Sequence, residues 1–107
     1  MHPIARILQL MLESDPTSVA QAVERLEPTE AEVILRELPA RELAEVIERL
    51  EPQVAVNVLE RLQAKCRAAA LANMPPRVAT LLLRRLAEPI QVETLPHTAP
   101  EVAVRLH

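Results

Sequence analysis

The chain has 107 residues, half of them apolar, with no glycine and no aromatic residue. That length holds one small domain with a modest core, and the missing Tyr, Phe, Trp and Gly leave strands and tight turns without their usual residues, so an all-α fold is expected. The lack of glycine excludes Gly-rich phosphate loops and dinucleotide turns, and a net charge of −3 excludes the concentrated basic face of a nucleic-acid binder.

The first predicted element is a helix over 3–13, apolar around much of its surface at Pro3, Ile4, Ile7, Leu8, Leu10, Met11 and Leu12. A terminal element of an array needs a polar outer face, so two readings stand. The helix folds over the next helices as a cap, or it lies against another copy or another domain. On the second reading Ile4, Ile7, Leu8 and Met11 are the contact residues, in self-association or with a protein partner.

From Asp15 to Leu86 six segments of twelve residues align without a gap: 15–26, 27–38, 39–50, 51–62, 63–74 and 75–86. Proline holds the second place in four of them (Pro16, Pro28, Pro52, Pro76) and the first in another (Pro39). It fits the first turn of a helix, where its missing N–H has no partner anyway, and it pushes the preceding residue out of the helical region. Each segment is therefore a helix of about ten residues, roughly 15 Å long. Positions 5, 8, 9 and 12 form one apolar stripe, for example Leu43, Val46, Ile47 and Leu50, while positions 10 and 11 are mostly charged. Among the 24 stripe positions only Arg67 is polar, which makes it a further candidate interaction residue.

A second period lies above the first. Alanine stands at position 6 in the odd segments (Ala20, Ala44, Ala68) and at position 5 in the even ones (Ala31, Ala55, Ala79). The structural unit is then a helix pair of 24 residues, and three stacked pairs make an α-solenoid, a superhelix of either hand. Residues 1–86 read as this helical-repeat domain. Residues 87–107 read as an irregular tail cut by Pro89, Pro96 and Pro100, in which Ile90-Gln91-Val92 shows no helical stripe and 100–106 begins a final short helix. That incomplete helix points to a longer parent protein.

Nothing here assembles a catalytic site, and no enzyme is expected. The histidines (His2, His97, His107) sit near the ends, and Cys66 has cations beside it but no histidine nearby in sequence. A single cysteine forms no internal disulfide, no secretory leader opens the chain, and no apolar run spans a bilayer, so a cytoplasmic location without membrane insertion is expected. Residues 1–50 carry five Arg and ten acidic residues, a net of −5, while residues 51–107 carry seven Lys or Arg and five acidic residues, a net of +2. A partner with an uneven field, or head-to-tail self-association, would exploit this difference; an ordinarily solvated surface also accounts for it. No His/Cys ligand cluster for a transition metal is present. Only a hard cation that takes carboxylates and keeps water suits the acidic residues.

The run LEPTEAEVILRELPARELAEVIERLEPQVAVNVLERL (26–62), followed by ANMPPRVATLLLRRL (72–86), resembles the cytoplasmic N-terminal domain of MgtE-type magnesium transporters over roughly residues 3–86. It is also similar to the helical repeats of the flagellar motor switch protein FliG. The first resemblance implies a magnesium-responsive regulatory superhelix that packs against CBS domains or the membrane domain of a transporter. It carries a weak Mg2+ role to Asp15, Glu27 and Glu51, the acidic residues before the prolines, with the remaining carboxylates supplied by a partner. The second implies an adaptor that ignores metal. No CBS domain and no membrane helix stands in this sequence, so the chain by itself does not transport ions.

Overall fold

The computed structural model describes residues 3–98. Helix α1 runs Pro3–Leu12, α2 Pro16–Glu24, α3 Pro28–Leu35, α4 Ala40–Arg49, α5 Pro52–Arg61, α6 Ala64–Ala72, α7 Pro76–Arg85 and α8 Glu88–Thr94. From α2 to α8 every helix begins twelve residues after the last. The same two backbone bonds recur in step. The N–H of position 5 donates to the carbonyl of position 1, as from Ala31 to Glu27 and from Gln91 to Ala87. The N–H of position 12 donates to the carbonyl of position 9, as from Leu26 to Val23 and from Leu86 to Leu83.

These bonds explain how helices stop without glycine. The chain leaves α4, α5 and α7 through an extended leucine (Leu50, Leu62, Leu86) with ψ near 154°. An extended leucine ends the helix and avoids the left-handed cap that favours Gly; Glu51, directly before Pro52, is extended as well (ψ 138°), as a following proline demands. No described residue has a positive φ. Two residues then suffice to turn from one helix into the next.

Packing follows the longer period. Helices α2, α4, α6 and α8 contact in one row, and α1, α3, α5 and α7 in a second. The principal extents are 38 × 24 × 23 Å, and 24 Å is the thickness of two helices side by side. Between the rows lie the stripe residues: Leu35, Leu43, Val46, Leu59 and Leu83 are wholly buried. Alanine at positions 5 and 6 is buried throughout, at Ala20, Ala31, Ala44, Ala55, Ala68 and Ala79, where its small side chain lets neighbouring helices approach. Helices of eight to ten residues are marginal in isolation. Burial of the stripe, about 1.5–3 kcal/mol for each large side chain, holds them in place.

The segment after Leu86 differs from its expected irregularity. Ile90, Gln91 and Val92 lie within α8, and a 3₁₀ turn, Leu95–His97, comes after it. The twelve-residue register thus continues past Ala87. The stripe was invisible because its residues here are Gln91, Thr94, Leu95 and Thr98, and Thr94 is fully buried. The expected helix over 100–106 lies outside the described residues.

Candidate functional site

Arg67 stands at position 5 of α6, where every other repeat from Val19 to Ala79 buries an apolar side chain, and it is itself 1% exposed. Its guanidinium is used up inside the chain. Nε donates to Thr94 Oγ1 at 2.8 Å, Nη1 to the Leu62 carbonyl at 2.7 Å, and Nη2 to Glu93 Oε1 at 2.7 Å. The Thr94 hydroxyl in turn donates to the Ile90 carbonyl at 2.6 Å. A charge this deep is tolerable only when its donors are met. The arrangement fastens α8 and the end of α5 to α6. It also corrects the expectation of Arg67 as a contact residue, since it has no surface to offer a partner.

The acidic residues before the prolines serve helix starts. Asp15 caps α2: Oδ1 accepts from the Ser18 N–H at 3.1 Å and Oδ2 from the Ser18 hydroxyl at 2.6 Å. These bonds, the hydroxyl's first, hold its carboxyl below the ordinary carboxylate range. The stabilisation is complete above the unfolded-state pKa and is lost as pH falls through the lowered folded value. An acid melt is therefore expected to show a loss of stability that Asp15→Ala lacks. Glu51 caps α5 through the Val54 N–H at 3.4 Å, and Glu27 makes no side-chain cap bond. Among the described residues no three His, Cys, Asp or Glu side chains come together to hold a metal ion. Asp15, Glu27 and Glu51 therefore do not form a magnesium site by themselves.

Two other carboxylates link repeats that lie far apart along the chain. Glu24, at the end of α2, accepts from the Glu51 N–H at 2.6 Å, and Glu60, in α5, accepts from the Ala87 N–H at 2.8 Å. Both span 27 residues, from position 10 of one repeat to position 1 of the third repeat on. Glu48 occupies the same place, but the residue 27 further on is Pro75, which has no N–H to give. Glu48 instead lines a shallow apolar cavity of about 230 Å3 with Ile47, Leu50, Leu81 and Arg85, and burial raises its carboxyl pKa. Glu24→Ala and Glu60→Ala should each cost about 1 kcal/mol in urea unfolding, the size of one such hydrogen bond. Glu48→Gln should instead raise the melting temperature slightly at neutral pH, where the carboxylate is charged, and have no effect in acid.

Helix α1 divides its wide apolar surface between two faces. Ala5, Leu8 and Leu12 are buried against the array, with α2 and α3 as neighbours, and Gln9 Nε2 donates to Glu42 Oε1 at 3.3 Å. That face is the cap. It claims Leu8, which corrects the expectation of Leu8 at a contact surface. The opposite face exposes Ile4, Ile7, Leu10 and Met11, with Ile7 at 54% and Leu10 at 60%. Beside it Val33 of α3 is also exposed, and Ile4, Leu26 and Val33 line a shallow depression. Cys66 is half-buried, and burial, followed by the Glu32 charge, pushes its thiol pKa up. Slow alkylation at neutral pH is expected, the reverse of an activated nucleophile.

No helix among the described residues is long and apolar enough to cross a membrane. No curated protein and no solved structure matches the chain. The family model for the MgtE intracellular N domain matches residues 14–107, most of the chain, including the tail and leaving out the whole of α1. The proline-set repeat, its continuation through α8 and this match lead to one conclusion: the chain belongs to the MgtE intracellular N domain family.

Proposed function

We propose that this protein is a cytoplasmic regulatory domain that works through protein–protein contact, and that its contact face is the outer side of α1. The observation that carries the reading is the exposure of Ile4, Ile7, Leu10 and Met11 on a helix whose other face already caps the array. A second apolar face is not needed for folding, and contiguous apolar surface rimmed by charge marks interaction sites. The partner that family membership suggests is a CBS or membrane domain of a magnesium transporter. Mg2+ modulates that contact only where the partner's carboxylates join those of this chain, since its own acidic residues do not assemble a site. Binding to the CBS pair of an MgtE-type transporter should be weakened at least about tenfold by Ile7→Glu, the loss of a buried apolar anchor. Equal binding by the variant would contradict the assignment of the face.

A second reading, an adaptor indifferent to metal, is favoured by the engagement of the Asp15 and Glu51 carboxylates with backbone N–H groups. The same titration separates the two. Binding that strengthens with Mg2+ up to ~10 mM, the weak range for hard cations, supports regulation by the ion, and binding that ignores it supports the adaptor.

A further inference from the structure

The distribution of charge on α1 points to one particular occupant for its outer face. The helix has no acidic residue in its first turn and no basic residue in its last. Arg6 lies in the first turn and Glu13 just past the end. Each sits at the helix end whose partial charge it shares, the opposite of the stabilising order. Seven residues apart, they fall within about 20° of one another around the helix axis and about 10.5 Å apart along it. Both are exposed, and that spacing sets both on the edge of the Ile7–Leu10–Met11 strip nearer α4, where Glu13 lies at a groove it lines with Gln9, Arg41 and Glu45.

We propose that this face binds a second copy of the same chain, with the two α1 helices antiparallel about a two-fold axis. That symmetry keeps residues of one edge together and reverses their order. Arg6 of one copy then faces Glu13 of the other, twice. Ile7 of one copy meets Met11 of the other, and the two Leu10 side chains meet near the axis. Each helix N-terminus gains the carboxylate it lacks and each C-terminus the guanidinium. An isologous contact of this kind closes on itself and does not grow into a filament. One ten-residue helix face falls well short of the about 800 Å2 per partner of a standard complex, so the dimer is weak. The proposal rests on the reading of α1 as a contact face and gives that face a second copy as occupant in the absence of a transporter's CBS or membrane domain, with which it competes.

The test is sedimentation velocity on the full chain from about 10 µM to about 1 mM, the range in which weak association shows. A dimer fraction that rises with concentration is expected, and Ile7→Glu should abolish it. Arg6→Glu and Glu13→Arg should each weaken association by about 3- to 10-fold, two exposed ion pairs being lost per dimer. The double variant Arg6→Glu/Glu13→Arg should return it to within about twofold of the original, because the pairs re-form with signs exchanged. Circular dichroism of each variant confirms that it is folded. A monomer at every concentration overturns the proposal, as does a double variant no better than the single ones. If the chain stays monomeric while Ile7→Glu still weakens binding to the CBS pair, only the second copy is excluded. If neither readout responds to Ile7→Glu, the contact face itself is wrong.

Discussion

Replacing Arg67 with alanine is expected to lower the unfolding free energy by about 3 kcal/mol, combining the cavity left by a large buried side chain with unmet polar groups around it. The loss should be local first. Thr94 is the only fully buried residue of α8, and its hydroxyl, with Glu93, is held by Arg67. Hydrogen exchange of the α8 amides should therefore accelerate before that of α3 to α5 changes. Glu93→Gln should cost under about 1 kcal/mol, since Glu93 is 61% exposed in side chain and its pair with Arg67 is half in water. Arg67→Met, which fills the space without the donors, should fall between the two. Arg67→Ala and Thr94→Val should not add, because they break one network. Urea unfolding of the four single variants and of the Arg67→Ala/Thr94→Val double variant checks the series.

The second large effect lies at the centre of the array. Leu43 is wholly buried in α4, which packs on α2 and on α6. Leu43→Ala should cost about 2–5 kcal/mol, a large share of the about 5–15 kcal/mol that holds a domain of ordinary stability. Stability in a stacked array is a sum of unit and neighbour terms, so a cavity in the middle weakens the contacts on both sides. Leu81→Ala, at a leucine that is more than half exposed on α7, should stay within about 0.5 kcal/mol. Denaturant midpoints for the pair test whether the buried stripe, and not apolar content in general, sustains the fold.

The array was legible because one physical rule repeats in it. Proline at helix starts and leucine at repeat ends mark the boundaries from α2 to α7 except at α6, which starts at Ala64 without a proline and whose repeat ends in Met74, and the Ala alternation foretells the two rows. Helix α8 was illegible to the same rule. Its buried side is Thr94, not Leu or Val, because the residue it must satisfy is Arg67. The signal that finds it is the offset of 27 residues joining Glu24 to Glu51 and Glu60 to Ala87. Counted from Arg67, the same offset lands on Thr94. Such an offset needs knowledge of which helices touch, and periodicity along the chain does not supply it. In α1 the apolar residues were all visible, but their division into faces was not. An insertion-free register would bury Ile7, Leu10 and Met11. The turn at Glu13–Ser14 rotates the helix so that Ala5, Leu8 and Leu12 face inward. The acidic residues before the prolines drew a metal role from the resemblance alone, and the capping bonds of Asp15 and Glu51 show the local work such residues do.

The assignment of the outer face of α1 as a contact surface is tested most directly by methyl NMR. The chain, labelled at Ile, Leu, Val and Met methyls, is titrated with the CBS pair of an MgtE-type transporter in the presence of Mg2+. The methyls of Ile7, Leu10 and Met11 should shift together and saturate, with those of Leu43 and Leu59 unmoved. Silent α1 methyls, with the shifts gathered instead at Leu81 and Val92 on the far helices, would contradict it.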